Sequence, residues 1–149
     1  MKARVVVLTI LAAVVILGSC SIQEMAMDSV ADMLGGTAAG GSAFTRDDDP
    51  KLVGDALPFA IKLYETLLDG SPDHPGLLMA TGQLFVMYSN AYVQTPADML
   101  PEWEYEKQEE MYARAKSLYI RGRDYLFRGI EINHPGFSQA LDTGDLEPV

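Results

Sequence analysis

The sequence predicts an all-α protein built of helical hairpins stacked as a short solenoid. Three observations carry that prediction. Past Pro50 no segment sustains the alternation of a strand. Apolar residues instead recur every three or four positions, at Leu52, Val53, Ala56, Phe59, Ala60, Leu63, Leu67 and Leu68. Two junctions also share one pattern of spacing and one tripeptide, His-Pro-Gly, at His74-Pro75-Gly76 and His134-Pro135-Gly136. The 149 residues allow one modest domain, and 48% hydrophobic with 21% charged residues argues against general disorder. A net charge of -10 excludes a phosphate-binding surface and so a nucleic-acid role. One cysteine allows no internal disulfide, and two histidines with it are too few for a zinc framework.

The chain opens with Lys2 and Arg4, then the apolar run Val5 to Leu17, broken only by Thr9. As a helix this run spans about 20 Å, short of the roughly 30 Å hydrocarbon core. It therefore reads as a secretory signal peptide. Leu17-Gly18-Ser19 precedes Cys20 directly, which resembles the bacterial lipoprotein signal. By that resemblance residues 1–19 are removed and Cys20 carries a diacylglycerol and an acyl chain; no other cofactor is expected. The bland alternative is an ordinary signal peptide or uncleaved anchor with Cys20 incidental. Ser21 follows instead of an aspartate, which favours the outer membrane over retention at the inner one. The mature chain keeps 9 basic against 21 acidic side chains, a charge of -12. Such a surface does not bind anionic lipid, so the acyl chains must hold it to the membrane.

Residues 20–49 form the lipidated N-terminus: a short amphipathic helix with Ile22, Met25, Val30 and Met33, then a Gly-, Ala-, Ser- and Thr-rich tether. Asp47-Asp48-Asp49-Pro50 lacks the alternating acids, glycine and closing glutamate of a calcium loop. It reads as a helix start, Asp49 capping and Pro50 in the first position. The helical domain is expected over 50–149. Its first helix covers Lys51 to Asp69, kinked or restarted at Pro58. A turn leads to a second helix from Pro75 to about Val93, and Gln94 to Pro101 connects, with room for one helical turn. A long helix then fills Glu102 to Asn133. Its stripe of Met111, Ala115, Leu118, Gly122, Tyr125 and Gly129 carries glycines that mark the close approach of a neighbouring helix. Ser138 to Leu141 begin another helix.

Ala60, Tyr64, Leu67 and Pro72 are spaced four, three and five apart, and Arg123, Phe127, Ile130 and Pro135 repeat that spacing. Leu78, Gly82 and Phe85 continue the first copy. These spacings match the second helix of a tetratricopeptide repeat, its closing proline and the first helix of the next repeat. A generic helical bundle reusing one turn is the alternative.

Phe44 to Phe137 further resembles the T component of tripartite ATP-independent periplasmic (TRAP) transporters, the TatT lipoproteins. The carrying stretches are Asp47-Asp48-Asp49-Pro50, Ala56-Leu57-Pro58-Phe59-Ala60, Leu63-Tyr64-Glu65 and Ser71-Pro72-Asp73-His74-Pro75-Gly76. Arg114-Ala115-Lys116, Leu118-Tyr119, Arg121-Gly122-Arg123-Asp124-Tyr125 and His134-Pro135-Gly136-Phe137 extend the match. The resemblance implies a periplasmic, non-enzymatic lipoprotein of tetratricopeptide-like helix pairs. It implies a homo-oligomer, typically a trimer, that binds the transporter's solute-binding subunit and passes or captures a small hydrophobic or organic-acid ligand. Family members run longer, with further repeats after the His-Pro-Gly-Phe turn, so a C-terminally truncated domain is expected here.

The residues themselves offer no enzyme motif: no Gly-x-Ser-x-Gly elbow, phosphate loop or His-Glu-x-x-His helix. His74 and His134, each before proline, read as helix-capping turn residues rather than a metal pair. Glu102, Glu104, Glu106, Glu109 and Glu110 read as a solvated helix face. Arg121, Arg123 and Arg128 could meet a carboxylate ligand or partner, or pair with acids across the helical stack. Among aromatics expected mostly in the core, Tyr88 and Tyr92 are candidates for a ligand or partner surface, with Arg121 and Arg123. A scaffold lipoprotein for envelope or secretion-complex assembly is the competing function.

Overall fold

A computed structural model describes residues 42–144, together with Ser29 and Asp32. The proposed signal peptide, Leu17-Gly18-Ser19, Cys20 and the tether lie outside the described residues. The described residues form helices and no strand. They run α1 (Ser42–Arg46), α2 (Pro50–Gly70), α3 (Pro75–Ser89), a π turn (Asn90–Gln94), α4 (Thr95–Asp98), a 3-10 turn (Glu102–Glu104), α5 (Tyr105–Asn133) and α6 (Phe137–Thr143). None of the described helices is long and apolar enough to cross a membrane.

Helix starts follow the local chemistry. Asp49 Oδ1 accepts from the backbone N–H groups of Lys51 and Leu52, each at 3.0 Å, with Pro50 in the first turn where its missing donor costs nothing. His74 caps α3 likewise: its Nδ1 accepts from Leu77 N–H at 3.1 Å. Nε2 therefore carries the ring proton and donates to Asp32 Oδ1 at 3.0 Å. His134 plays a different part. It closes α5 through its backbone N–H on Ile130 O, and the start of α6 is held by Glu131 instead. The Glu131 carboxylate accepts from Gly136 N–H, Ser138 N–H and Ser138 Oγ, all within 2.9 Å.

Two further departures from the sequence reading have physical causes. α2 does not restart at Pro58; it runs unbroken for 21 residues with Pro58 on its exposed side. Helical backbone also continues beyond Val93 to Asp98, through the π turn. Pro96 cannot donate to the carbonyl four residues back and its ring crowds that position. The backbone widens just before it, and Thr95 N–H reaches Asn90 O.

α3 lies at the centre and packs against both α2 and α5, most extensively against α5. Apolar residues circle it, and Leu77, Leu78, Leu84 and Phe85 are all at most 2% exposed. α2 contributes Val53, Leu57, Ala60, Ile61, Tyr64, Leu67 and Leu68, while Phe44 of α1 packs onto this cluster. α5 contributes little bulk: its buried residues are Ala115, Gly122 and Gly129, one small residue every seven. They let the α3 and α5 backbones approach. Thr81 and Ser89 are buried in α3 yet satisfied, by Leu77 O at 2.7 Å and Ala115 O at 2.9 Å. The first three positions of each copy sit on a helix and Pro72 and Pro135 in the turn after it, but their surroundings differ. Ala60, Tyr64 and Leu67 are buried, whereas Arg123 and Phe127 are exposed, with Phe127 edge-on to Phe137 at 5.6 Å.

Candidate functional site

Near the turn that joins α2 to α3, the side chains of α2 and α5 meet over a surface cleft of about 520 Å³. Lys62, Glu65 and Asp69 line it from α2, and Arg121, Tyr125 and Arg128 from α5. Steps of three and four residues put each set on one helical face. Glu65 is the hub. Arg121 Nη2 and Tyr125 Oη both donate to its Oε1, the latter at 2.9 Å, and Lys62 Nζ lies 2.7 Å from its Oε2. Burial pushes the Glu65 carboxyl up, but the hydrogen bonds from Lys62, Tyr125 and Arg121 outweigh it and hold the group below the ordinary carboxylate range. Tyr125 moves the other way, raised by burial and by its bond to Glu65.

Aromatic rings form the floor beneath this polar layer. Phe85 of α3 stacks on Tyr125 with ring centres 5.8 Å apart and planes 15° apart. The Arg121 guanidinium carbon sits 4.5 Å from the Phe85 ring centre, so this cation is held by a carboxylate on one side and an aromatic face on the other. Arg128 closes the end of the cleft: its Nη2 donates to Pro72 O at 2.9 Å and lies 3.9 Å from Asp73 Oδ1. Three cations against two carboxylates line the cleft, a local positive excess on a strongly acidic chain.

The four candidate binding residues do not share one place. Arg121 belongs to the cleft. Arg123, two positions on and about 200° round the helix, points elsewhere and bonds Asp124 through Nε and Nη2 at 2.9 and 2.6 Å. Tyr88 and Tyr92 stack on each other at 5.9 Å near the opposite end of α3. Tyr92 Oη donates to Pro50 O at 2.8 Å, and its ring lies over Gly54, where a Cβ would come within 2.5 Å of it. Arg114 Nη2 donates to Tyr88 Oη at 3.3 Å, with its guanidinium carbon over the ring, 5.8 Å from the centre. These tyrosines tie α2, α3 and α5 together. Glu65 enters the sequence reading only within the stretch Leu63-Tyr64-Glu65 and not as a site residue, because it lies off the apolar stripe of its helix. No group of three or more His, Cys, Asp or Glu side chains among the described residues is placed to hold a metal ion.

Fold and cleft together define an all-helical domain with a charged groove between two non-adjacent helices. The chain belongs to the TRAP transporter T-component family, whose model matches residues 46–149. An uncharacterized protein of Treponema pallidum (strain Nichols) is 48% identical over 102 residues, covering 68% of this chain. The chain spans about a third, 32%, of that relative's length.

Proposed function

We propose that this chain is a non-enzymatic periplasmic accessory of a TRAP-type transporter, anchored to the outer membrane by lipid on Cys20. In this reading it docks the solute-binding subunit and holds a small hydrophobic or organic-acid ligand. The observation that carries the reading is the family match, which spans the helices from α2 onward and includes every residue of the cleft. The lipoprotein assignment rests on Leu17-Gly18-Ser19-Cys20 and on the apolar run before it.

The cleft's chemistry supports an anionic ligand. Arg121 has five N–H donors in a planar fork, and Nη2 is engaged with Glu65. A ligand carboxylate entering between Arg121 and Arg128 would meet donors already positioned, beside Tyr125, whose ring is backed by buried Phe85. The stacking of α2, α3 and α5 is consistent with tetratricopeptide-like pairs. The exposed apolar residues Leu52, Phe59 and Leu63 along α2 offer a surface for self-association, in keeping with the homo-oligomer expected from the family.

The test is uptake of the transporter's radiolabelled organic-acid substrate in cells lacking this gene. Loss of uptake that is restored by the wild-type gene, but not by Cys20→Ala, supports the lipid-anchored accessory. Uptake unchanged by the deletion refutes it.

A further inference from the structure

The connector between α4 and α5 carries the two most exposed large apolar side chains among the described residues, Trp103 at 86% and Met99 at 78%, and Tyr105, which opens α5, is 61% exposed. Scattered apolar residues on a surface are ordinary, but three within seven positions, one of them tryptophan, concentrate exposed apolar surface on one short segment. The backbone that presents them is braced. Leu100 N–H bonds Ala97 O, and Glu104 N–H bonds Pro101 O. Gln108 Nε2 also donates to Ala97 O at 2.9 Å, and Tyr112 Oη to Asp98 Oδ1 at 2.8 Å. Val93 and Ala97 behind it are fully buried and root the connector in the core. A side chain displayed on a fixed support loses little entropy on binding, which is how aromatic anchors act at interfaces.

The electrostatics of the tip specify what covers it. Asp98, Glu102, Glu104, Glu106, Glu109 and Glu110 flank and interleave these side chains in the sequence, against Lys107, which is itself paired with Glu104 at 2.7 Å. Six carboxylates and one ammonium give -5 over thirteen residues. A second copy using the same tip would bring a matching negative charge against it, and an anionic lipid surface would be repelled. A protein with an apolar pocket rimmed by lysine or arginine meets both features. Resting on the transporter reading above, we propose that this acidic-rimmed Trp103 tip is the docking surface for the solute-binding subunit, inserted into an apolar pocket with a basic rim. The charged cleft lies toward the other end of α5, so docking leaves it open.

Surface-based kinetics with the full chain and the solute-binding subunit, at low and at raised salt, test this. Trp103→Ala weakens binding tenfold or more through faster dissociation, and Tyr105→Ala by a smaller factor. The triple change Glu102→Gln, Glu106→Gln, Glu109→Gln slows association severalfold and flattens its salt dependence. Leu141→Ala, an exposed apolar change on α6, leaves binding as it was. Because Trp103 is exposed, its variant keeps the wild-type melting temperature, which separates lost docking from lost folding. Wild-type binding that is retained by both aromatic variants, or that ignores salt, overturns the tip as the docking surface and leaves the transporter reading intact. No binding by the wild-type chain overturns that reading, and the tip assignment with it.

Discussion

A methyl group on Gly82 would come 2.8 Å from the carbonyl oxygen of Gly122, and one on Gly122 would come 3.0 Å from that of Gly82. The two helices are thus in backbone contact at their crossing. Gly82→Ala would also meet Leu126 Cγ at 2.5 Å, so α3 and α5 must separate. We expect destabilisation of about 1–2 kcal/mol, overpacking exceeding the helix-propensity gain. Gly129→Ala meets Leu78 Cβ and the flexible Met79 Sδ at 3.2 Å and is expected to be near neutral. Urea unfolding of the two variants, with midpoints compared at constant m, distinguishes them.

Glu65 joins α2 to α5 more strongly when ionised. Its carboxyl pKa is lowered by folding, so the contribution is complete above the unfolded value and disappears as pH falls through the folded one. Glu65→Gln should cost about 1 kcal/mol at pH 7. The wild-type advantage should shrink as pH drops below the carboxylate range, and denaturant midpoints at pH 7 and pH 3 provide the measurement.

Glu131 performs at α6 the service that His74 performs at α3, supplying acceptors to backbone donors of the turn. Glu131→Ala is expected to fray α6 without unfolding the α2–α3–α5 body. Hydrogen exchange should show faster exchange at Gly136 and Ser138, with the amides of Leu84 and Phe85 unchanged.

Tyr92 anchors the start of α2 through Pro50 O and packs its ring over Gly54. Removing the hydroxyl in Tyr92→Phe should cost about 0.5–1.5 kcal/mol. Gly54→Ala should displace the ring and cost at least as much, because the ring atoms lie within 2.7 Å of the new Cβ. Thermal unfolding of both variants checks the pair.

Much of this fold was legible because helix chemistry is local. The cap at Asp49, the proline starts at Pro50 and Pro75, and the small-residue stripe Ala115, Gly122 and Gly129 each follow from neighbours in sequence. The π turn was not, since it answers both Pro96 and the packing of Val93 and Ala97. His134 repeats the motif of His74, yet Glu131 pre-empts its capping role from one helical turn away. The cleft was legible only in part: Arg121 was singled out, but Glu65 lies 56 positions away and is joined to it only by the packing of α2 and α5 on α3. Trp103 was passed over because exposure is decided by tertiary packing, and the sequence around it reads only as an acidic helix start.

The central claim is association with a transporter's solute-binding subunit. Isothermal titration of the purified full chain with that subunit, followed by light scattering of the mixture, tests it most directly. The account predicts a saturable exothermic or endothermic isotherm and a particle whose mass contains both proteins. Heats no greater than dilution, with two unassociated species in scattering, would contradict it.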